Sequence, residues 1–111
     1  MSVKLLYVTA PDPECAERIA SAAVGEQLAA CANILPGVIS LFRWDGSLCR
    51  EQECILILKT TEVVAPALIE RVRDLHPYDC PCIVELPVTG GHPDFLAWVA
   101  QAVQMENPTD A

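Results

Sequence analysis

No stretch of this chain approaches the roughly 20 consecutive apolar residues that a membrane-spanning helix needs, so no membrane partner is expected. Basic residues are scarce as well. Seven Lys and Arg stand against fifteen Asp and Glu, for a formal net charge of −8. The basic residues are scattered singly along the chain. Phosphate backbones are held by clustered Lys and Arg, so nucleic acid is not an expected partner either. Glycine numbers only five, and the adjacent pair Gly90-Gly91 has neither a G-x-G-x-x-G nor a Walker pattern around it and no Lys after it. No nucleotide-phosphate loop is read there. Repeats, low-complexity segments and linkers are missing, and 111 residues is an ordinary length for one hydrophobic core. The start, MSVKLLYVTAPD, has one lysine and no small-residue cleavage site. It reads as a first strand and not as a signal peptide, and a cytoplasmic location is expected.

What the chain does have is apolar residues, carboxylates and cysteine. Hydrophobic residues make up 52% of it, ample for a packed interior. The acidic surface draws cations weakly, but most of its carboxylates serve only solubility. Six cysteines in apolar surroundings, without a leader, read as reduced thiols and not as a disulfide framework. Cys15, Cys31, Cys49 and Cys54 read as small buried hydrophobes. Cys80 and Cys82 are close enough together to suggest more.

Along the chain, residues 3–9 (VKLLYVT) are a β-rich run that APDP breaks. Asp12 caps a helix with Pro13 in its first turn, and Ala16, Ile19, Ala20, Ala23 and Gln27-Leu28 extend the helical spacing over 13–29. CANILPGVISLFRW (31–44) is a strand kinked at Pro36-Gly37. Asp45-Gly46 is a hairpin signal, and SLCREQECILILKT (47–60) returns, with CILIL apolar on both faces. Thr61 or Ala65 opens a second helix that ends near Leu75. PCIVELPV (81–88) is a fourth strand, and His92 caps a last helix through FLAWVAQAV. The tail after residue 104 should fray. The class is α+β: a ferredoxin-like βαββαβ domain over residues 1–104, with an extra C-terminal helix and a frayed tail at 105–111. Strands of about 14 residues exceed the usual 5–6. A long central hairpin of this kind projects beyond its sheet and needs cover. Another copy of the chain is the simplest cover, so self-association is expected.

AACANILPGVISLFRWDG (29–46), ILILKTT (55–61), HPYDCPCI (76–83) and HPDFLAWV (92–99) resemble the four signature blocks of the divalent-cation tolerance family, CutA. The resemblance runs from residue 3 to about 103, in order and spacing. It implies a ferredoxin-like fold, a tight homotrimer held by strands shared between subunits, a link to copper tolerance, and likeness to the trimeric PII signalling proteins. Four departures stand out. Asp79 and Cys82 occupy positions where many members carry Glu. Ser47 and Leu48 follow the hairpin glycine where a lysine is common. Val8 stands where some bacterial members carry a cysteine implicated in copper binding. Of the family's copper site, only His76 matches.

The HPYDCPCI stretch is therefore the candidate site, with His76, Cys80 and Cys82 as candidate metal ligands for copper or another divalent or soft ion. Imidazole is the commonest metal ligand. Copper(I) accepts two or three soft donors, whereas zinc needs four ligands. Each residue also has a plainer reading. His76 could end a helix and bond its last carbonyls, and the two thiols could pack at the start of a strand. Tyr78 is expected at the surface or against a neighbouring subunit. Trp44, Phe95 and Trp98 read as core or interface anchors. Cys80 near His76 could form a thiolate nucleophile, but no third orienting residue or oxyanion element accompanies them, and no enzyme is expected. The leading function is a trimeric metal-binding protein contributing to copper tolerance. The alternatives are a PII-like regulator binding a small anionic ligand at subunit clefts, or a trimeric scaffold.

Overall fold

Two sequence signals, Asp12-Pro13 and Asp45-Gly46, organise the first half of the chain in the computed structural model, which describes residues 2–103. The elements are β1 (Val3–Ala10), α1 (Pro13–Gly25), β2 (Cys31–Trp44), β3 (Ser47–Thr61), α2 (Ala65–Leu75), β4 (Ile83–Pro87) and α3 (Pro93–Ala102). The four strands form one sheet in the order β2-β3-β1-β4, antiparallel throughout. This is the expected α+β, ferredoxin-like arrangement with an added C-terminal helix. The frayed tail expected at 105–111 lies outside the described residues.

Asp12 starts α1 by accepting the Cys15 N–H at 2.8 Å on Oδ1, with Pro13 in the first turn. The helix stops at Gly25, four residues short of the expected 29. Gln27 takes a left-handed conformation, φ 62°. The Gln27 N–H then donates to Val24 O at 3.0 Å and the Leu28 N–H to Ala23 O at 2.9 Å. Those two bonds are a Schellman closure, built on a residue other than glycine. Gln27 and Leu28 continue the helical spacing but lie past the reversal.

Asp45 and Gly46 both have positive φ, 52° and 77°, as a type I′ turn requires, and this turn matches the twist of the strands it joins. Pro36-Gly37 forms the expected irregularity: the β2–β3 register shifts between Leu35 and Val38, and Gly37 sits at φ 79°. β4 begins at Ile83, two residues later than expected. The second helix opens at Ala65, with Pro66 in its first turn, where a missing N–H is harmless.

The main core lies between the sheet and two helices. Leu6, Val8 and Ala10 of β1, with Cys54, Leu56 and Leu58 of β3, meet Ala16, Ile19 and Ala23 of α1 and Leu68 and Val72 of α2. The alanines let α1 approach the sheet closely. Truncating a fully buried leucine such as Leu56 to Ala costs about 2–5 kcal/mol at sites of this kind. A smaller cluster, Val3, Ala30, Val64, Val99 and Val103, anchors α3.

Away from Val3, which packs against α3, the described residues leave the opposite face of the sheet uncovered. Strand alternation places Leu5, Tyr7, Ile55, Ile57, Val84 and Leu86 there, with Leu35 on the outer strand; Val84 is 48% exposed and Leu86 43%. Beyond Cys54, β3 pairs only with β2, so the hairpin's outer half stands clear of β1. The molecule is accordingly elongated, 49 × 29 × 24 Å. The projecting arm carries apolar groups on both faces: Ile39, Leu41 and Leu48 on one, Phe42 and Trp44 on the other.

Candidate functional site

The seven residues from His76 to Cys82 link α2 to β4, and β1 holds them at both ends through one residue. The His76 ring is buried and its Nε2 lies 2.7 Å from Thr9 O. At the other end, the Thr9 N–H donates to Cys82 O at 3.4 Å. A carbonyl can only accept, so Nε2 carries the ring proton. Nδ1 is then the acceptor that receives the Tyr78 N–H at 3.2 Å. His76 is thus the neutral Nε2–H tautomer with both nitrogens engaged. Its main chain also ends α2, the His76 N–H donating to Arg73 O at 3.3 Å. The helix-ending reading of His76 therefore describes its backbone, while the ring serves to dock the segment on β1.

A third tether comes from Tyr78. Its hydroxyl donates to Glu53 Oε2 at 2.9 Å, and its ring lies 4.8 Å, centroid to centroid, from the His76 ring. Burial and then the hydrogen bond to Glu53 push the Tyr78 hydroxyl up from 10.0 to about 12. Glu53 precedes Cys54, the last β3 residue paired with β1, so this bond ties the segment to the root of the projecting hairpin.

Between these tethers Asp79, Cys80 and Cys82 face solvent. The thiols do not pack in the core of the chain. By contrast, Cys15 and Cys54 are buried, and Cys31 and Cys49 are half-buried. Cys80 and Cys82 precede β4 in a bent stretch and are not strand residues. His76, Cys80 and Cys82 are not gathered around a common point within the chain. Among the described residues, no three His, Cys, Asp or Glu side chains converge to hold an ion. The donors free to ligate in this conformation are the two thiols.

Two residues that position the segment, Thr9 and Glu53, were not legible as such. They stand 67 and 25 positions from their partners, and neither belongs to a motif. Beside Glu53 opens a shallow cleft of about 300 Å³, and its lining includes Pro11, Asp12, Gly37, Gln52 and Glu53. Its charged lining residues are both carboxylates, a field that suits a cation over an anion.

The aromatic anchors are not core residues of this chain. Trp44 is 61% exposed and Trp98 45%. Phe95 is exposed too, its ring centroid 5.7 Å from that of Trp98 on α3. His92 does cap α3, accepting the Phe95 N–H on Nδ1 at 3.2 Å.

Residues 4–102 match the family described as CutA1 divalent ion tolerance protein. The Divalent-cation tolerance protein CutA of Thermus thermophilus is 45% identical over 98 residues, covering 88% of this chain and 95% of that protein. Protein CutA 1, chloroplastic, of Oryza sativa is 39% identical over 100 residues, or 90% of this chain, which spans only 56% of that longer relative. The crystal structure of CutA1 from Oryza sativa superposes with a TM-score of 0.92 at 37% identity, covering 96% of this chain and 97% of that one. None of the described helices is long and apolar enough to cross a membrane.

Proposed function

Because the chain belongs to the CutA1 divalent ion tolerance family, we propose that it is a homotrimeric protein that binds a soft metal ion, copper foremost, at the HPYDCPCI segment. One observation carries this reading: Cys80 and Cys82 stand exposed on a segment tethered at His76, Tyr78 and Cys82. Two thiols suit copper(I), which accepts two or three soft donors, and fall short of the four ligands that zinc takes. His76 would join as a third donor only by giving up the Tyr78 N–H at Nδ1. Its first duty is to hold the segment on β1. The acidic cleft beside Glu53 favours a cation over the small anionic ligand of a PII-like regulator. The role is binding and not catalysis.

The trimer is supported by what a single chain leaves bare. Leu41, Trp44 and Leu48 at the hairpin tip are 64%, 61% and 75% exposed, and the sheet's second face is apolar. Contiguous exposed apolar patches mark association surfaces. A reducing compartment such as the cytoplasm suits six free thiols.

Calorimetric titration of the reduced protein with copper(I), zinc and nucleotides tests the reading. Copper(I) should bind, and Cys82→Ser should lower its affinity tenfold or more while light scattering still reports three times the 12.0 kDa chain mass. Equal copper(I) affinity in the Ser variant would remove the site. A monomer at micromolar concentration would remove the assembly.

A further inference from the structure

The two most accessible thiols of this chain are also its nearest in sequence. A two-residue step spans at most about 7 Å between Cα atoms, and a disulfide takes about 4.4–6.8 Å. Cys80 and Cys82 therefore lie within bonding reach after a small local adjustment. The chain bends at residues 77–80, and Cys80 and Cys82 lie outside the strand ladder. Cys82 is held by the Thr9 N–H, so Cys80 is the partner that moves. Of the remaining thiols, Cys31 and Cys49 are half-buried. Cys15 and Cys54 are buried, and burial pushes the Cys15 thiol up, away from the reactive thiolate.

We propose that Cys80 and Cys82 form a reversible dithiol–disulfide pair, oxidised by small-molecule disulfides of the glutathione class. The thiolate of Cys80 attacks one sulfur of the small disulfide, forming a mixed disulfide and expelling one thiolate. The Cys82 thiolate then attacks Cys80 Sγ, closing the protein disulfide and expelling the second. The protein loses two electrons and two protons, and the small disulfide becomes two thiols. A ring this small is strained, and strained or exposed disulfides are the labile, regulatory ones. The inference deepens the soft-metal reading and rests on it for its consequence: the disulfide form has no thiolate to offer, so oxidation would release the ion.

The test exploits the positions of the basic residues. No Lys or Arg follows Arg73, so trypsin leaves Cys80 and Cys82 together on one C-terminal peptide without any other cysteine. The native, metal-free protein is equilibrated in buffers of graded oxidised-to-reduced glutathione ratio, quenched with an alkylating reagent and digested. Under oxidising conditions this peptide should lose both alkyl adducts and run two hydrogens lighter than the unmodified dithiol, and it should regain both adducts on return to excess reduced glutathione. Cys80→Ser and Cys82→Ser should each retain a stable glutathione adduct on the remaining cysteine. A parent peptide that keeps both alkyl adducts at the most oxidising ratio overturns the proposal, and so does one that stops at a glutathione adduct. Because the readout is metal-free, failure of copper binding would leave it standing. Failure to form the disulfide would equally leave the metal reading intact.

Discussion

Replacing Tyr78 with Phe removes one hydroxyl and with it the bond to Glu53 Oε2, while the ring stays against His76. The carboxylate released is accessible to water, so no buried charge is stranded, and the loss is that of the bond alone. Hydrogen bonds to charged groups contribute roughly 1.5–3 kcal/mol when sheltered. The pH dependence measures burial and the bond together, burial being the larger cause. The hydroxyl is held protonated to about 12 in place of 10.0, which at ~1.36 kcal/mol per pKa unit would amount to about 2.7 kcal/mol in a sealed site. Tyr78 is 39% exposed, so solvent screening reduces the figure to about 1 kcal/mol. The folded pKa is the higher one, so the native state binds the proton more tightly. The contribution is complete below pH 10 and is lost as pH climbs from 10 to 12. Denaturant unfolding followed at pH 7 should find Tyr78→Phe about 1 kcal/mol less stable. A series from pH 9 to 12 should find that the parent's advantage over the variant shrinks toward zero. Equal stability at pH 7, or a gap that persists at pH 12, would refute the bond's assigned role.

Gln27→Gly should stabilise the chain by about 0.5–1 kcal/mol, since glycine adopts φ near +60° without the steric penalty of a side chain; a thermal melt with a lowered midpoint would count against the Schellman assignment. In native protein, alkylation should label Cys80 and Cys82 first, Cys31 and Cys49 more slowly, and Cys15 and Cys54 last, as read by peptide mass. Early labelling of Cys54 would contradict its place in the core. Nitrogen-15 spectra of the His76 ring should report the Nε2–H tautomer at neutral pH, and a dominant Nδ1–H form would undo the docking to Thr9 O.

Much of the architecture was legible because its signals are local. Asp45-Gly46 marks a turn with two positive φ angles, and Asp12-Pro13 marks a helix start; each acts within a few residues. The end of α1 was misplaced because Gln27 and Leu28 keep the helical spacing. Only the left-handed angle at Gln27, which no residue preference announces, shows that the chain has already turned. The start of β4 was misplaced for a related reason. Cys80, Cys82, Val84 and Leu86 alternate like one strand, but Pro81 cannot donate to a ladder and the first two belong to the bend. In the site, the residue types of HPYDCPCI were visible and their anchors were not. The partners of His76 and Tyr78 come from β1 and β3, and only the folded sheet brings those strands beside them. The thiols were read as packing groups more readily than as ligands, because exposure is a property of the tertiary structure.

The grip of Thr9 on this segment uses its amide and its carbonyl and none of its side chain. Every residue except proline offers both groups. Position 9 can therefore drift among side-chain types over evolutionary time while the segment it holds stays in place. The thiols, by contrast, sit on the surface, and since the tether at Cys82 uses its carbonyl, a single codon change at either one alters the chemistry without removing a bond of the frame. Such a division separates what holds the segment from what the segment presents to solvent.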